Sequence, residues 1–280
     1  MTSRIGFAYN PTNEAAVELR ERAAGWCRMH GVDQWAAQAQ DFETLCRELA
    51  TSDFLVVLGG DGTLLRAARA VIQVDVPLLG VNLGKVGFLS KVEANELEAV
   101  LGKLVSGAFS VDERMALEAR LLSGGRPEGS VVHHALNDVV IARGALARVV
   151  RMDVAIDASH LATFIADGLV VSSPTGSTGY SFSAGGPVVA PDSRNLIVTP
   201  IAGYLSTIRS VVVGPDQIVR CRIVDATEAI VSIDGREDLP VAVGDTVEVR
   251  SLARPVRLVE PAGSQPFWDL FRRKVELLPS

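Results

Sequence analysis

The run Leu58-Gly59-Gly60-Asp61-Gly62-Thr63 stands where an apolar stretch ends and a helical pattern, Leu64 to Val74, begins. Gly59, Gly60 and Gly62 tolerate positive φ and put no Cβ in a ligand's path, and a helix N-terminus offers free N–H groups to an anion. In outline that is a phosphate cradle, with Thr63 closing it. It is not the dinucleotide fingerprint, whose third glycine would fall at Leu65, and it is not a P-loop, which needs a Lys-Ser/Thr pair. Asp61 at its centre would repel phosphate unless it binds a metal or accepts a proton from an attacking hydroxyl. The plainer reading is an Asp-Gly turn selected for backbone shape. Arg66, one turn further on, either reaches phosphate oxygens or is a solvated helix residue.

A second glycine-rich turn, Gly80-Val81-Asn82-Leu83-Gly84-Lys85-Val86-Gly87-Phe88-Leu89-Ser90, follows an expected strand at Val76 to Val81. Both turns then lie at the end of a parallel sheet where ligands bind. Phe88 is there either to stack on a base or to fill the core. Asn137 and Asp138 interrupt the apolar segment Ala135 to Ile141; a buried amide and carboxylate need partners, which a ribose hydroxyl pair would supply, unless the pair simply makes a turn. Downstream, Asp167 leads into Gly168-Leu169-Val170-Val171-Ser172-Ser173-Pro174-Thr175-Gly176-Ser177-Thr178-Gly179-Tyr180, whose hydroxyls, glycines and tyrosine make a polar wall for a base or ribose. The many serines do not make a hydrolase: Gly176-Ser177-Thr178-Gly179 is not GxSxG, and His30, His133, His134 and His160 sit in no partner motif. Cys27, Cys46 and Cys221 have no CxxC spacing, which argues against a structural zinc site.

A scaffold must present these turns. Ile5 to Tyr9, Glu14 to Met29, Asp41 to Ala50 and Phe54 to Leu58 alternate short apolar runs with helical patterns, the βαβ rhythm of a Rossmann-like parallel sheet. Beyond about residue 110 the pattern changes to period-two alternation, as in Val149 to Ile156 and Thr246 to Arg250, which predicts antiparallel strands of a β-rich, sandwich-like domain. Ser123 to Gly129 reads as a hairpin loop, and Pro266 to Leu278 regains helical spacing. The expected organisation is therefore an α/β phosphate-binding domain over 1–105, a β-rich domain over 106–260, and a segment, 261–280, that packs back on the first domain.

Composition bounds the partners. The 280 residues carry a net charge of −6, from 27 Lys+Arg against 33 Asp+Glu, and so no basic footprint for nucleic acid or an anionic membrane. The longest stretch without Asp, Glu, Lys or Arg, Gly168 to Pro191, is crowded with Ser, Thr, Gly and Pro and does not read as a membrane span. Met1 to Asn10 lacks the pattern of a signal peptide, so a cytoplasmic location is the expectation.

With these four segments in one order, the chain resembles the NAD kinase family, which transfers the terminal phosphate of ATP or inorganic polyphosphate to the 2′-hydroxyl of the adenosine ribose of NAD. The resemblance covers nearly the whole chain. It implies that Asp61 is the base that deprotonates the 2′-hydroxyl, with the glycine amides and Arg66 near the phosphates. It also implies that Asn137 and Asp138 hold ribose hydroxyls, that Phe88, Thr175, Thr178, Gly179 and Tyr180 surround the adenine, and that Asp167 and Asp234 lie near the dinucleotide. Some of these contacts would come from adjoining subunits of a homodimer or homotetramer. Mg²⁺ or another divalent cation is the implied cofactor. The chain departs from the family where Gly179 replaces the usual Ala, where Asp138 replaces a frequent Glu, and where Tyr204 and Arg209-Ser210 stand in place of a His and an Arg-Pro pair. The alternatives are a lipid or polyol kinase with the same first turn, or a nucleotide-binding regulator without catalysis.

Overall fold

A computed structural model describes residues 3–84, 87–144, 148–204 and 208–276. Lys85-Val86 of the second turn, Leu205 to Thr207 beside Tyr204, and the expected end of the terminal helix at Leu278 lie outside them.

The chain begins β1 (Arg4–Tyr9), α1 (Glu14–Met29), β2 (Asp33–Gln38), α2 (Phe42–Leu49), β3 (Phe54–Leu58), α3 (Asp61–Val74) and β4 (Leu78–Asn82). It continues through β5 (Val92–Glu93), α4 (Leu97–Ser106), β6 (Phe109–Arg114), β7 (Leu117–Leu122), β8 (Val131–Ala135) and β9 (Asp138–Arg143). Next come β10 (Val150–Ile156), β11 (Ser159–Ala166), β12 (Gly168–Ser172), α5 (Tyr180–Ser183), β13 (Leu196–Ile201) and β14 (Val211–Val213). Last are β15 (Val219–Asp225), β16 (Ala229–Ile233), β17 (Glu237–Val241), β18 (Thr246–Ser251), β19 (Val256–Pro261) and α6 (Phe267–Glu276). Two compact units result: 1–113 with 256–280, and 114–255. The divisions expected from the sequence pattern fall nearby, at about residues 105 and 260.

The first unit is built on a sheet of order β2-β1-β3-β4-β19-β6, with β5 paired to β4. β1, β2, β3, β4 and β5 run parallel, and β19 joins β4 in parallel at Leu258 and Leu78. β3 and β4 are buried apart from the first residue of β3, as expected for central strands with apolar residues on both faces. Helices begin where the sequence supplies acceptors: Asn13 caps α1 through Ala16 N–H, and Asp41 caps α2 through Thr44 N–H. One strand has no signal in the sequence. β2 (Asp-Gln-Trp-Ala-Ala-Gln) is an edge strand with all but Ala37 at least partly in water, so it carries no apolar run.

The second unit has two antiparallel six-stranded sheets, β11-β10-β15-β18-β7-β8 and β14-β13-β12-β9-β16-β17. Alternate residues meet in one apolar core: Val139 and Ile141 of β9 and Leu169 and Val171 of β12 with Met152, Val154, Cys221, Val247 and Val249 of the facing sheet. The other residues of β9 and β12 turn away from that core, and this outward face carries Asp138 and Ser172, directly opposite each other in the register.

Candidate active site

In the first unit, α3 starts at Asp61, three residues before the apolar pattern suggests, with Gly60 as its cap and no side chain capping it. Gly59 N–H donates to Val81 O at 2.9 Å, so that amide belongs to the sheet. The amides of Asp61 and Gly62 have no carbonyl four residues back within the helix and are the ones placed for an anion. None of Gly59, Gly60 and Gly62 adopts positive φ, contrary to one use the sequence suggests for them. What matters is the missing Cβ, since the space beside Gly60 and Gly62 is open. Thr63 N–H closes the turn on Gly60 O, and exposed Arg66 leans back toward Gly62 O at 3.5 Å.

Asp61 does more than shape a turn. Its Oδ1 accepts from Leu89 N–H and Ser90 N–H at 3.2 Å each and from Ser90 Oγ at 3.0 Å, while Oδ2 accepts from Phe88 N–H at 2.8 Å. Gly87 makes this cage possible: a Cβ there would lie 1.9 Å from Asp61 Oδ1. A carboxylate offers about four lone-pair positions. Oδ1 is saturated, and Oδ2, with one partner among the described residues, keeps acceptor capacity. Ser90 is a site residue that sequence reasoning misses, because its task depends on a residue 29 positions earlier. Phe88, half-buried, packs its ring at 6.0 Å and 6.4 Å from the rings of Phe267 and Phe271, with Lys274 Nζ 4.3 Å from its centroid.

In the second unit the turn Leu136-Asn137-Asp138 hangs on Asp234. The Asp234 carboxylate accepts from Leu136 N–H at 3.0 Å, Asn137 N–H at 2.8 Å and Asp138 N–H at 3.1 Å, and pairs with Arg236 Nη2 at 3.2 Å. Its side chain is 1 % exposed. This carboxylate is taken up beneath the turn, so Asp234, expected near a dinucleotide, acts within the structure by shaping the turn that carries Asn137 and Asp138. Asn137 O accepts from Ser173 N–H, and Gly176 sits so close that a Cβ would come within 2.1 Å of Asn137 O. Thr175 is buried, with Arg114 Nη1 at 3.4 Å from its hydroxyl; Arg114, itself 2 % exposed, has no signal in the sequence. Thr178 Oγ caps back on Thr175 O, and the Cβ position of Gly179 lies 4.0 Å from Asp138 Oδ2 and 3.3 Å from Gly176 O. Buried Asn137 Oδ1 and Ser172 Oγ have no hydrogen-bond partner among the described residues. Tyr180 is half exposed at the start of α5.

Asp167 is not part of this cluster. It precedes β12 at the end opposite Ser172, roughly 17 Å away along the strand, and its carboxylate is paired with Arg143 at 3.0 Å. Asn137, Asp138, Thr175, Thr178 and Gly179 come together; Asp167 stands apart.

The two buried aspartates are unequal. Burial pushes Asp234 up, against the pull of three amides and Arg236. Asp138 has no such donors, so its burial and the neighbouring Asp234 charge raise it from 3.8 to about 7. Near neutrality burial thus favours the protonated form of Asp138, which can donate as well as accept. The folded state binds the Asp138 proton more tightly than the unfolded chain, so this site's stabilisation is complete below about pH 4 and lost as pH rises through about 7. Asp138→Asn keeps the shape without the ionisation. The variant is expected to gain about 2–4 kcal/mol over wild type at pH 8 and far less at pH 4.5, since each tenfold difference in proton affinity is worth about 1.4 kcal/mol. Urea unfolding at the two pH values checks this, and an equal difference at both would refute it.

Among the described residues no three His, Cys, Asp or Glu side chains converge to hold a metal ion. An aspartate at a helix N-terminus, glycines without Cβ obstruction and a buried polar turn, on an α/β unit and an antiparallel β unit, define a class: a phosphotransferase acting on a nucleotide. Residues 2–109 match the family model described as the ATP-NAD kinase N-terminal domain, and residues 136–261 match the ATP-NAD kinase C-terminal domain. The NAD kinase of Heliobacterium modesticaldum is 38% identical, across 97% of this chain and 98% of its own. Among solved structures, yeast NADH kinase complexed with NADH superimposes with a TM-score of 0.85 at 25% identity, covering 99% of this chain and 87% of that one. An NAD kinase from Archaeoglobus fulgidus in complex with ATP gives 0.78 at 25% identity, covering 98% and 99%. The chain belongs to the NAD kinase family. The match of both units leaves no place for the lipid or polyol kinase alternative.

Proposed function

We propose that the chain transfers the terminal phosphate of ATP or inorganic polyphosphate to the 2′-hydroxyl of the adenosine ribose of NAD, giving NADP. The observation that carries this reading is the caged carboxylate of Asp61, fixed through Oδ1 and left with acceptor capacity on Oδ2. As the 2′-oxygen attacks phosphorus, its proton passes to Oδ2, the leaving oxygen departs with the donor, and no covalent enzyme intermediate is needed. Positioning supplies most of the rest. The first-turn amides of α3, with Gly60, Gly62, Thr63 and Arg66, face the phosphates, and Gly59 ties that turn to the sheet; Asn137 and partly protonated Asp138 hold ribose hydroxyls; Phe88, Thr175, Thr178, Gly179 and Tyr180 line the adenine.

A divalent cation such as Mg²⁺ is the cofactor that belongs with this reading, beside the donor phosphates. Bound there it would offset phosphate charge. Asp167, distant from Asn137 within the chain, fits a dinucleotide held by a neighbouring copy in a homodimer or homotetramer. No described helix is long and apolar enough to cross a membrane, and a cytoplasmic site of action is part of the same proposal.

The test is a panel: purified chain with NAD or NADH, ATP or polyphosphate, with Mg²⁺ or with a chelator. NADP or NADPH should form with at least one donor and fall away under chelation. Folded protein that yields neither with any donor would end the reading.

A further inference from the structure

We propose that the C-terminal return of the chain, β19 and α6, positions the catalytic base by holding both ends of the loop that cages it. The inference rests on the reading of Asp61 as base. Three of the four donors on Asp61 are consecutive amides, those of Phe88, Leu89 and Ser90, and the Phe88 amide is the one bonded to Oδ2. Whatever fixes residues 88–90 therefore aims the carboxylate.

Two separate contacts fix them, and both come from beyond residue 255. At one end, Phe267, Phe271 and Lys274 occupy one face of α6, at spacings of four and three residues, and meet the Phe88 ring. The ring and cation contacts of Phe88 among the described residues all come from this helix. At the other end, Lys91 Nζ forms a mostly buried ion pair with Glu260 Oε1 of β19. α6 also anchors itself through Leu270, which is 2 % exposed, while Trp268 faces water. The helix thus buries Leu270 and meets the loop by its aromatic edge. Gly87 has no side chain to brace the loop from within, because a Cβ would strike Asp61. Phe267, Phe271, Lys274 and Glu260 are accordingly positioning residues, acting on Asp61 through residues 88–91.

A double-mutant cycle with Asp61→Asn tests this. Phe271→Ala should lower kcat roughly 10- to 100-fold, the scale of a misplaced catalytic group, and change the KM for NAD by less than about three-fold. Phe271→Leu should restore most of the rate. In the Asp61→Asn background, Phe271→Ala should lower kcat no further. Full additivity of the two losses, or a wild-type kcat in folded Phe271→Ala, would overturn the positioning role while leaving the base intact. If Asp61→Asn itself has no effect, it is the base reading that fails. Should Phe271→Ala not fold, Glu260→Gln and Lys274→Met, which keep side-chain length, carry the same cycle. Each should lower kcat about three-fold or more when Asp61 is present and leave it unchanged in the Asp61→Asn background; equal losses in both backgrounds would overturn the proposal.

Discussion

Asp234→Ala is expected to lower the stability of the second unit by about 3–5 kcal/mol, the range for removing one partner of a buried ion pair. Asp234 is buried, so its removal cannot be repaired by water at no cost. The amides of Leu136, Asn137 and Asp138 lose their acceptor at once, and partly buried Arg236 loses its ion pair with Asp234. The positive φ of Asp234, 49°, adds a second constraint: aspartate tolerates the left-handed region better than alanine. Asp234→Asn keeps one acceptor oxygen and should lose less. Because the chain has two compact units, a single unfolding midpoint would blur the effect. Amide hydrogen exchange reports it locally: the amides of Leu136, Asn137 and Asp138 should lose protection in the alanine variant. Unchanged protection at all three would refute the clamp.

The residues of the site are legible in the sequence, and their tasks only in part. Phe54 to Leu58 and Glu14 to Met29 read correctly to the residue because a continuous apolar run and a 3.6-residue period are local signals. β2 is not legible, since an edge strand in water needs no apolar pattern. The two glycine-rich turns announce themselves, but that the second supplies donors to Asp61 of the first is a pairing across 27 to 29 residues. Asp234 and Asn137 are 97 residues apart, and nothing near Asp234 distinguishes an aspartate that shapes a turn from one that touches a ligand. Phe88 offers a choice between base and core; its ring partners lie beyond residue 266, so the choice cannot be made from its neighbours. Local chemistry is written in motifs, whereas the division of labour among acids is set by long-range hydrogen bonds.

Asp61→Asn is expected to reduce turnover by roughly 10²–10⁴-fold, the contribution typical of a positioned general base. The asymmetry of the cage makes the substitution informative. Oδ1 receives three donors and Oδ2 one, so the asparagine oxygen should settle on the Leu89 and Ser90 side and its NH₂ on the Phe88 side. One hydrogen bond is lost, at about 1 kcal/mol, and the side-chain volume is retained. The loop therefore stays close to its wild-type position, and the groups assigned to the adenosine of NAD, all but Phe88 in the second unit, keep their places. The amide cannot accept the 2′-hydroxyl proton, so the attacking oxygen remains protonated as the transfer begins. Binding and turnover should separate in this variant. The decisive measurement is the dissociation constant for NAD and kcat for NADP formation, taken on one folded preparation of Asp61→Asn beside wild type. The account predicts a dissociation constant within about three-fold of wild type and a kcat lower by roughly 10²–10⁴; a variant that binds NAD and turns it over near the wild-type rate would contradict it.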